Sequence, residues 1–560
     1  MQSRKLFVRR TPLLLASLLV GTGMLGAADQ SDEITRLQQM LAAQQKQLQA
    51  LQQAIEQEQE AISKALQTAP TPPASLGTVA SLTPMVPAPA PAPAPMTLPA
   101  PQDNAAPSGN SNNPCEAGPD SVTPAYLRLG NTCIVPIGFM DLTGLWRDKN
   151  AGSSMGSNFG SIPYNNTVNG NLSEFRFSPQ NSRIGFRVDG DWKGVHFIGY
   201  NEFDFNGTSG SNGIAVSNGA FVPRLRLFWV DARKGKLEFL AGQSWSLLTP
   251  NRSGLSALPG DLFYTQVIDI NYVAGLTWTR QPGMRVLYHP SEKVTFGFSA
   301  EQPDQYAGGS AGGSTITYPA AFASLANAQL DISQNVSAGQ NVLSQPTVSP
   351  DFIAKIAFDP SSRFHFEVGG IERNFKTVNP ALLSQHFSAQ GGGLLAGANA
   401  EIFKNFRLIT TNYWSDGGGR YLFGQAPDLI VRADGTLSLV HSGGTVDGFE
   451  ARIKNTLLYA YYSGILIERD TALDANGTTK IGYGYAGSAN SQNRAIQELT
   501  FGFNHTIWSN PRYGAINFMG QYEYLTRDPW SVATGAPKNT HDNTVYTNIR
   551  YTLPGAMPKF

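Results

Sequence analysis

The segment that decides the fold spans residues 289–301 and has the sequence HPSEKVTFGFSAE. Its first four residues have the Pro- and Ser-containing composition of a tight turn. Within the segment, the even positions from Val294 to Ala300 are apolar, whereas Thr295, Ser299 and Glu301 are polar. Because side chains alternate between the two faces of an extended chain, this pattern predicts a β-strand with one apolar and one polar face.

The same alternation recurs through the chain after Cys133. Other segments predicted as strands are 137–147, 183–189, 195–204, 224–229 and 545–553, the last of which we expect to close the sheet. Tight turns are predicted at 189–191, 289–292 and 359–362, and long Gly/Ser/Asn-rich loops such as 307–345 lie between them. Short turns that alternate with long loops are typical of a transmembrane antiparallel β-barrel.

The length of residues 134–560 sets the strand count. At roughly 25 residues for a strand and its connection, this region accommodates about 16 strands of an all-β barrel. In the segment 224–229 the alternation assigns Leu225, Leu227 and Trp229 to the lipid face, opposite Arg224 and Arg226.

Aromatic residues lie in or near the predicted strands, where girdles at the two membrane interfaces would place them. The aromatic residues in question are Trp146, Trp229, Trp245, Trp278, Trp414, Tyr459, Tyr461 and Tyr551. A soluble β-sandwich or propeller is the alternative, but its outward face would be polar and would need no such girdles.

Composition excludes several classes of protein. The chain has 41 basic and 41 acidic residues, which gives no electrostatic footprint for nucleic acid. Hydrophobic residues make up 41% while the mean hydropathy is −0.21, so apolar residues are interleaved with polar ones. These values favour a membrane protein that crosses by strands over one that crosses by helices.

Residues 1–28 have the features of a signal peptide. Basic residues at positions 4, 5, 9 and 10 precede an apolar run at 13–20, and small residues end the segment at Ala28. The chain is therefore predicted to leave the cytoplasm. An uncleaved amphipathic anchor is the alternative interpretation.

Residues 29–68 are predicted to form a coiled coil in the periplasm. Apolar residues recur every seven positions, and identical helices are needed to bury such a seam. The residues predicted to mediate this oligomerisation are Ile34, Leu37, Leu41, Leu48, Leu51, Ile55 and Ile62. A solvated single helix is the alternative, because Gln44 and Glu58 interrupt the stripe.

Residues 69–133 are predicted to be a linker rich in Pro, Ala, Ser and Asn, which cannot pack a core. Its cysteines, Cys115 and Cys133, are the two cysteines of the chain, and in an oxidising compartment we expect them to form a disulfide. The barrel then occupies residues 134–560.

The candidate pore-lining residues are arginines whose place in the strand alternation, or whose neighbours in sequence, suit the inner face of the barrel. The charges of inward side chains decide which ions pass. A guanidinium is permanently charged and pairs with carboxylates through two hydrogen bonds. These arginines are Arg176, Arg183, Arg187, Arg224, Arg226 and Arg285. The alternative is that several of them neutralise Glu174, Glu202, Asp204 and Glu238 or bind lipopolysaccharide at the rim.

Motifs of enzymes and metal sites are incomplete. Residues 482–487 have a G-x-G-x-x-G spelling without a surrounding βαβ unit. Residues 202–213 resemble a calcium loop but end on Gly213 where the bidentate Glu would stand. We therefore expect no enzymatic activity, no cofactor and no metal.

The sequence resembles the DcaP-like trimeric porins of Gram-negative bacteria. The resemblance rests on the order of predicted parts and on three motifs, residues 181–186 (NSRIGF), 224–226 (RLR) and 240–245 (LAGQSW). It implies a homotrimer of barrels of about 16 strands, located in the outer membrane with lipid and lipopolysaccharide around it. It also implies passage of small anionic solutes such as dicarboxylates.

Two other functions compete with a porin. The coiled coil and spacer would suit a structural protein that tethers the outer membrane to the cell wall, with peptidoglycan as its partner. An outer-membrane hydrolase would need an adjacent Ser and His on the lipid side.

Overall fold

The computed structural model describes residues 126–554, apart from 152–154, 157–158, 208–220, 258–262, 266–271, 308–315, 328–348, 424 and 511–512. The predicted signal peptide, coiled coil and most of the linker lie outside the described residues. These three assignments therefore stay predictions.

Strands account for most of the described chain. In chain order they are β1 (Leu127–Leu129), β2 (Thr132–Arg147), β3 (Glu174–Ser178), β4 (Arg183–Trp192), β5 (Val195–Gly207), β6 (Val222–Lys234), β7 (Leu237–Trp245), β8 (Arg280–Ser291), β9 (Val294–Glu301), β10 (Asp351–Ser361), β11 (Phe364–Asn379), β12 (Leu382–Phe403), β13 (Phe406–Asp416), β14 (Leu429–Val431), β15 (Leu437–Leu439), β16 (His441–Ile453), β17 (Thr456–Ile467), β18 (Asp470–Leu473), β19 (Lys480–Tyr483), β20 (Asn493–Asn510), β21 (Gly514–Pro529) and β22 (Thr540–Thr552). Short 3-10 helices span Phe159–Ser161, Asn169–Asn171, Ala320–Asn327 and Gly419–Tyr421.

Eighteen of the described strands form one closed antiparallel barrel, and β14 with β15 and β18 with β19 form two separate two-stranded sheets. The wall runs in the order β2, β4 to β13, β16, β17, β20, β21 and β22, and β22 pairs with β2 through Gly144↔Thr547 and Leu142↔Ile549. In the described residues the wall has sixteen positions, as predicted. β3 and β4 share one of them, because they pair with the two halves of β2 and are separated by a break that contains Pro179, which has no N–H.

Most short turns lie at one end of the barrel and the long connections lie at the other, where the two-residue turn between Asn379 of β11 and Leu382 of β12 is the exception among the described residues. The turn predicted at 189–191 is misplaced, because β4 continues to Trp192 and turns at Lys193 and Gly194. Both residues have positive φ, 50° and 75°, which is the geometry of a type I′ hairpin.

The outer face of the wall is apolar and the inner face is polar, as the alternation predicted. Along β2, Met140 and Leu142 are 64% and 48% exposed, whereas Asp141 and Thr143 on the other face are 4% and 1% exposed. An apolar exterior around a charged interior is the arrangement of a transmembrane barrel and the reverse of a soluble one.

One strand departs from the predicted alternation. In the pairing of β6 with β5, Leu227 lies opposite Glu202 and Leu225 lies opposite Phe203, so Arg226 is the extra residue of a β-bulge. Beyond the bulge the parity is reversed, and Leu227 and Trp229 are buried inside the barrel while Phe228 faces outward. The prediction that Leu227 and Trp229 face lipid is therefore wrong.

The predicted aromatic girdle is only partly confirmed. Trp146 and Trp414 face outward and are 41% and 47% exposed. Five of the other residues are buried among the interior side chains, namely Trp229, Trp245, Trp278, Tyr459 and Tyr461. Aromatic enrichment in this chain thus marks a packed interior as well as membrane interfaces.

Among the described residues, no helix combines the length and the apolar character needed to cross a membrane.

Candidate functional site in the barrel interior

We call the connection between β7 and β8, residues 246–279, the crossing loop. Its described parts, 246–257, 263–265 and 272–279, fold into the barrel. Its base is closed by a hydrogen bond of 2.9 Å from the Ser246 amide to the Thr279 carbonyl oxygen. Beside this bond the rings of Trp245 and Trp278 stack with their centroids 3.7 Å apart. The loop therefore leaves and re-enters the wall as a narrow neck.

Wall carboxylates hold the outgoing arm of the crossing loop. The backbone amides of Leu247 and Asn251 donate to Glu301 on β9 and Glu367 on β11, at 2.8 and 3.1 Å. The Gly254 amide donates to Asp359 Oδ2 on β10 at 3.0 Å. These bonds fix the backbone of the loop, so they do not depend on its side chains.

Arg252 fixes the far end of the outgoing arm. Its guanidinium binds both carboxylate oxygens of Glu450 on β16, and Nη1 lies 2.9 Å from Oε2. Burial by itself would lower the pKa of Arg252, but the charge of Glu450 raises that pKa above its ordinary value. The Tyr461 hydroxyl donates to the same carboxylate at 2.9 Å.

The return arm lies against β16, β17 and β20. The Tyr264 amide donates to the Tyr461 hydroxyl at 3.2 Å, and the Ala274 amide donates to Glu498 Oε2 at 2.7 Å. A Cβ built on Gly275 would come within 2.3 Å of the Gly464 carbonyl oxygen, and its φ is +82°, so only glycine fits there.

These contacts carry the loop across the lumen to strands almost opposite its neck in the ring of sixteen. The loop therefore narrows the interior and covers five wall carboxylates, Glu301, Asp359, Glu367, Glu450 and Glu498. The strands β2, β4 to β6, β21 and β22 form the part of the wall on the other side of the crossing loop.

Three of the predicted arginines meet on that other part of the wall. Arg226 lies 2.7 Å from Glu202 and 2.9 Å from Asp204, and Arg224 lies 2.5 Å from Asp204. Arg183 lies 3.5 Å from Glu202. Arg224 and Arg226 share the inward parity of β6 up to the bulge, so both reach Asp204 on the neighbouring strand.

A second cationic contact lies next to this cluster. Arg183 and Arg550 lie over the ring of Phe139, at 5.2 and 4.0 Å from its centroid. Arg550 also binds Asp141 at 2.8 Å. Cations over an aromatic face are attracted by its quadrupole, so the ring holds two like charges near one another.

The remaining predicted arginines also lie on the inner face. Arg176 pairs with Glu174 at 2.8 Å and Arg187 with Asp189 at 2.6 Å. Arg285 donates to Ser244 Oγ at 3.1 Å beside the neck of the crossing loop. The pairing with Glu174, Glu202 and Asp204 matches the neutralising alternative, and a pore-lining function of the six arginines stays a prediction.

A buried charge network joins the long connections at the other end of the barrel to the wall. Arg373 on β11 binds Asp351 at 3.1 Å and Asp428 at 2.9 Å, and Arg420 binds Asp304 at 2.5 Å. Asp428 lies outside the wall strands, and burial raises its pKa, although Arg373 acts in the opposite direction.

Sequence reasoning did not identify the crossing loop. A signal was present, because residues 246–279 include Leu247, Leu248, Leu255, Phe263 and Leu276, which is unusually apolar for a connection. All five of these side chains are buried. A long apolar connection in a barrel is therefore a candidate for folding inward.

Cys133 is buried in β2, and Cys115 lies outside the described residues. The disulfide stays a prediction. Among the described residues, no group of three or more His, Cys, Asp or Glu side chains is arranged to hold a metal ion.

No family model and no curated protein sequence matches the chain. The solved structure of the outer membrane channel DcaP of Acinetobacter baumannii superposes with a TM-score of 0.54 and 16% identity, over 77% of this chain and 99% of that one. The chain has the fold of the DcaP channel. At the level of fold, the resemblance predicted from the sequence is confirmed.

Two further solved structures superpose with TM-scores below 0.5. OprB of Pseudomonas putida gives a TM-score of 0.40 at 11% identity, over 74% of this chain and 94% of that one. OmpF of Salmonella typhi gives 0.39 at 10% identity, over 76% and 100%.

Proposed function

We propose that the chain is an outer-membrane porin through which small polar solutes diffuse, with its tight turns in the periplasm and its long connections outside. The observation that carries the proposal is a closed barrel with an apolar exterior, a charged interior and a loop that crosses the lumen. A wet, charged interior selects solutes by size and charge without a chemical reaction. The similarity in fold to the outer membrane channel DcaP supports this function.

The proposed solutes are small anions. Arg183, Arg224 and Arg226 pair with Glu202 and Asp204, so these five side chains carry three positive and two negative formal charges. The side chain of Arg224 is 32% exposed, whereas that of Arg226 is fully buried. Arg224 is therefore the member of the cluster best placed to meet a solute.

Conductance in planar bilayers tests both parts of the proposal. Purified full-length protein should open stepwise channels, and the reversal potential in a salt gradient should have the sign of anion preference. Arg224→Gln should shift that potential toward cations, whereas Lys404→Gln, at an exposed turn between β12 and β13, should leave it unchanged. Absence of channels would contradict the porin, and a cation-selective wild type would contradict the anion preference alone.

The homotrimer, the periplasmic coiled coil and contact with lipopolysaccharide belong to the same proposal. The heptads of residues 34–65 support self-association of the chain. Tethering to peptidoglycan stays a prediction that depends on residues outside the described part of the chain.

A further inference from the structure

A cluster of polar side chains lies on the outer face of β13 and β16. The outer polar cluster consists of Thr410, Asn412, Thr445 and Asp447. Thr410 Oγ1 donates to Asp447 Oδ1 at 2.5 Å, and Thr445 Oγ1 donates to Asp447 Oδ2 at 2.8 Å. Asn412 Nδ2 donates to Thr410 Oγ1 at 3.1 Å. The four side chains thus form one connected network.

The cluster faces away from the lumen. Thr411 and Val446, which alternate with its members along the strands, are the residues that face inward, with exposures of 4% and 0%. Leu408 and Trp414 share its face and are 41% and 47% exposed. Asp447 pairs with Tyr462, six residue pairs from the turn, so it lies in the middle of the wall.

The polar surface continues onto β17 and β20. The Tyr462 hydroxyl donates to Gln497 Oε1 at 3.2 Å. Gly464 pairs with Thr445 on one side and with Gln497 on the other, so the polar positions span four neighbouring strands. By contrast, the outward residues of β10 between its ends are Phe352, Ala354, Ile356 and Phe358.

A carboxylate in the hydrocarbon band is unfavourable, and polar residues at that depth normally contact protein. Next to the cluster, Ala396, Ala398 and Ala400 occupy the outer face of β12, and such small side chains allow another protein surface to approach closely. We infer that the outer face of β12, β13, β16, β17 and β20 is a contact surface between copies of this chain.

The sequence favours a second copy of this chain as the protein that binds this surface. The heptads of residues 34–65 need identical helices, and their association would hold several barrels side by side in one membrane. Asn412 and Gln497 each carry amide donors and acceptors, so the surface of one copy can satisfy acceptors such as Asp447 on another. The inference rests on the proposed outer-membrane location.

Photocrosslinking tests the contact in the full-length protein. With p-benzoyl-phenylalanine in place of Asn412, irradiation of outer membranes should give a covalent product of two chains. The same residue in place of Phe298, an outward and 51% exposed position on β9, should not. Lipid adducts alone at position 412, or a product of any other mass, would overturn the inference.

Substitution of the carboxylate gives an independent measurement. Asp447→Leu should raise the dissociation constant of the oligomer in detergent at least tenfold, and Phe298→Leu on the outer face of β9, away from the inferred contact, should leave it unchanged. A more heat-stable barrel with an unaltered oligomer would mean that Asp447 faces lipid, and would refute the contact. If Asp447→Leu does not fold, Asn412→Leu serves for the same comparison.

Conductance separates this inference from the proposed function. Each variant that assembles should keep the single-channel conductance of the wild type, because the substituted side chains lie outside the lumen. Loss of conductance in the wild type itself would remove the porin assignment without deciding where the copies meet.

Discussion

Arg252 holds the crossing loop against β16, because its guanidinium forms an ion pair with Glu450. Arg252→Gln would leave that carboxylate buried without its cation, and breaking a buried pair typically costs about 3 kcal/mol or more. We expect a looser loop, seen as greater open-channel current noise and entry of larger polyethylene glycols.

The double variant Arg252→Gln/Glu450→Gln is the matched control for this effect. It removes both charges, so it should recover part of the wild-type current trace. An Arg252→Gln channel that is as quiet and as selective for size as the wild type would mean that the ion pair does not hold the loop.

The buried carboxyl of Asp428 makes the stability of the folded protein depend on pH. Burial raises its pKa in the folded protein, so the folded state binds the proton more tightly than the unfolded state does. The stability that this group contributes is present below its ordinary pKa and is lost as the pH rises toward the raised value. Asp428→Asn imitates the neutral form at every pH.

We therefore expect the melting temperature of Asp428→Asn, relative to the wild type in the same detergent, to be higher at pH 7.5 than at pH 4. Asp434→Asn, at an exposed turn where hydrogen bonds from Thr436 lower the pKa, should change in the opposite direction. A difference that does not vary with pH would contradict the assignment of the effect to Asp428.

The crossing loop is the element that sets the width and part of the charge of the lumen. Because its neck is already closed by the bond between Ser246 and Thr279, residues 247–278 can be replaced by a short Gly/Ser turn without stretching the wall. The shortened protein should have a conductance roughly twofold higher or more, since the pore is then limited by the wall.

Loss of the loop should also move the selectivity toward cations. The loop amides and Arg252 now cover five wall carboxylates, which the replacement would expose to the lumen. The reversal potential measures this change. An unchanged conductance and reversal potential would show that the loop is not the narrowest part of the channel.

Assembly is the property of the whole molecule that the N-terminal region is predicted to control. Deletion of residues 31–114 should lower the fraction of oligomer seen by native mass measurement in detergent, while the conductance per barrel stays the same. Unchanged assembly would contradict the coiled-coil prediction, and lost conductance would contradict an autonomous barrel.

Period-two alternation was sufficient to predict the barrel and its apolar exterior, because the pleat of a strand fixes the face of each side chain locally. The length of residues 134–560 predicted about sixteen wall positions. It failed at β6, where one bulged residue, Arg226, reversed the parity of Leu227 and Trp229. A bulge depends on the partner strand, so the alternation of one strand does not reveal it.

The sequence by itself determined the fold class and predicted six arginines as pore-lining residues, which stays a prediction. Only the tertiary structure decided that the loop after Trp245 enters the lumen and that those arginines have neighbouring carboxylates. The reason is distance along the chain, since Arg252 binds Glu450 across 198 residues and Arg550 binds Asp141 across 409. Closing the ring brings such residues together, and no local pattern encodes which of them will meet.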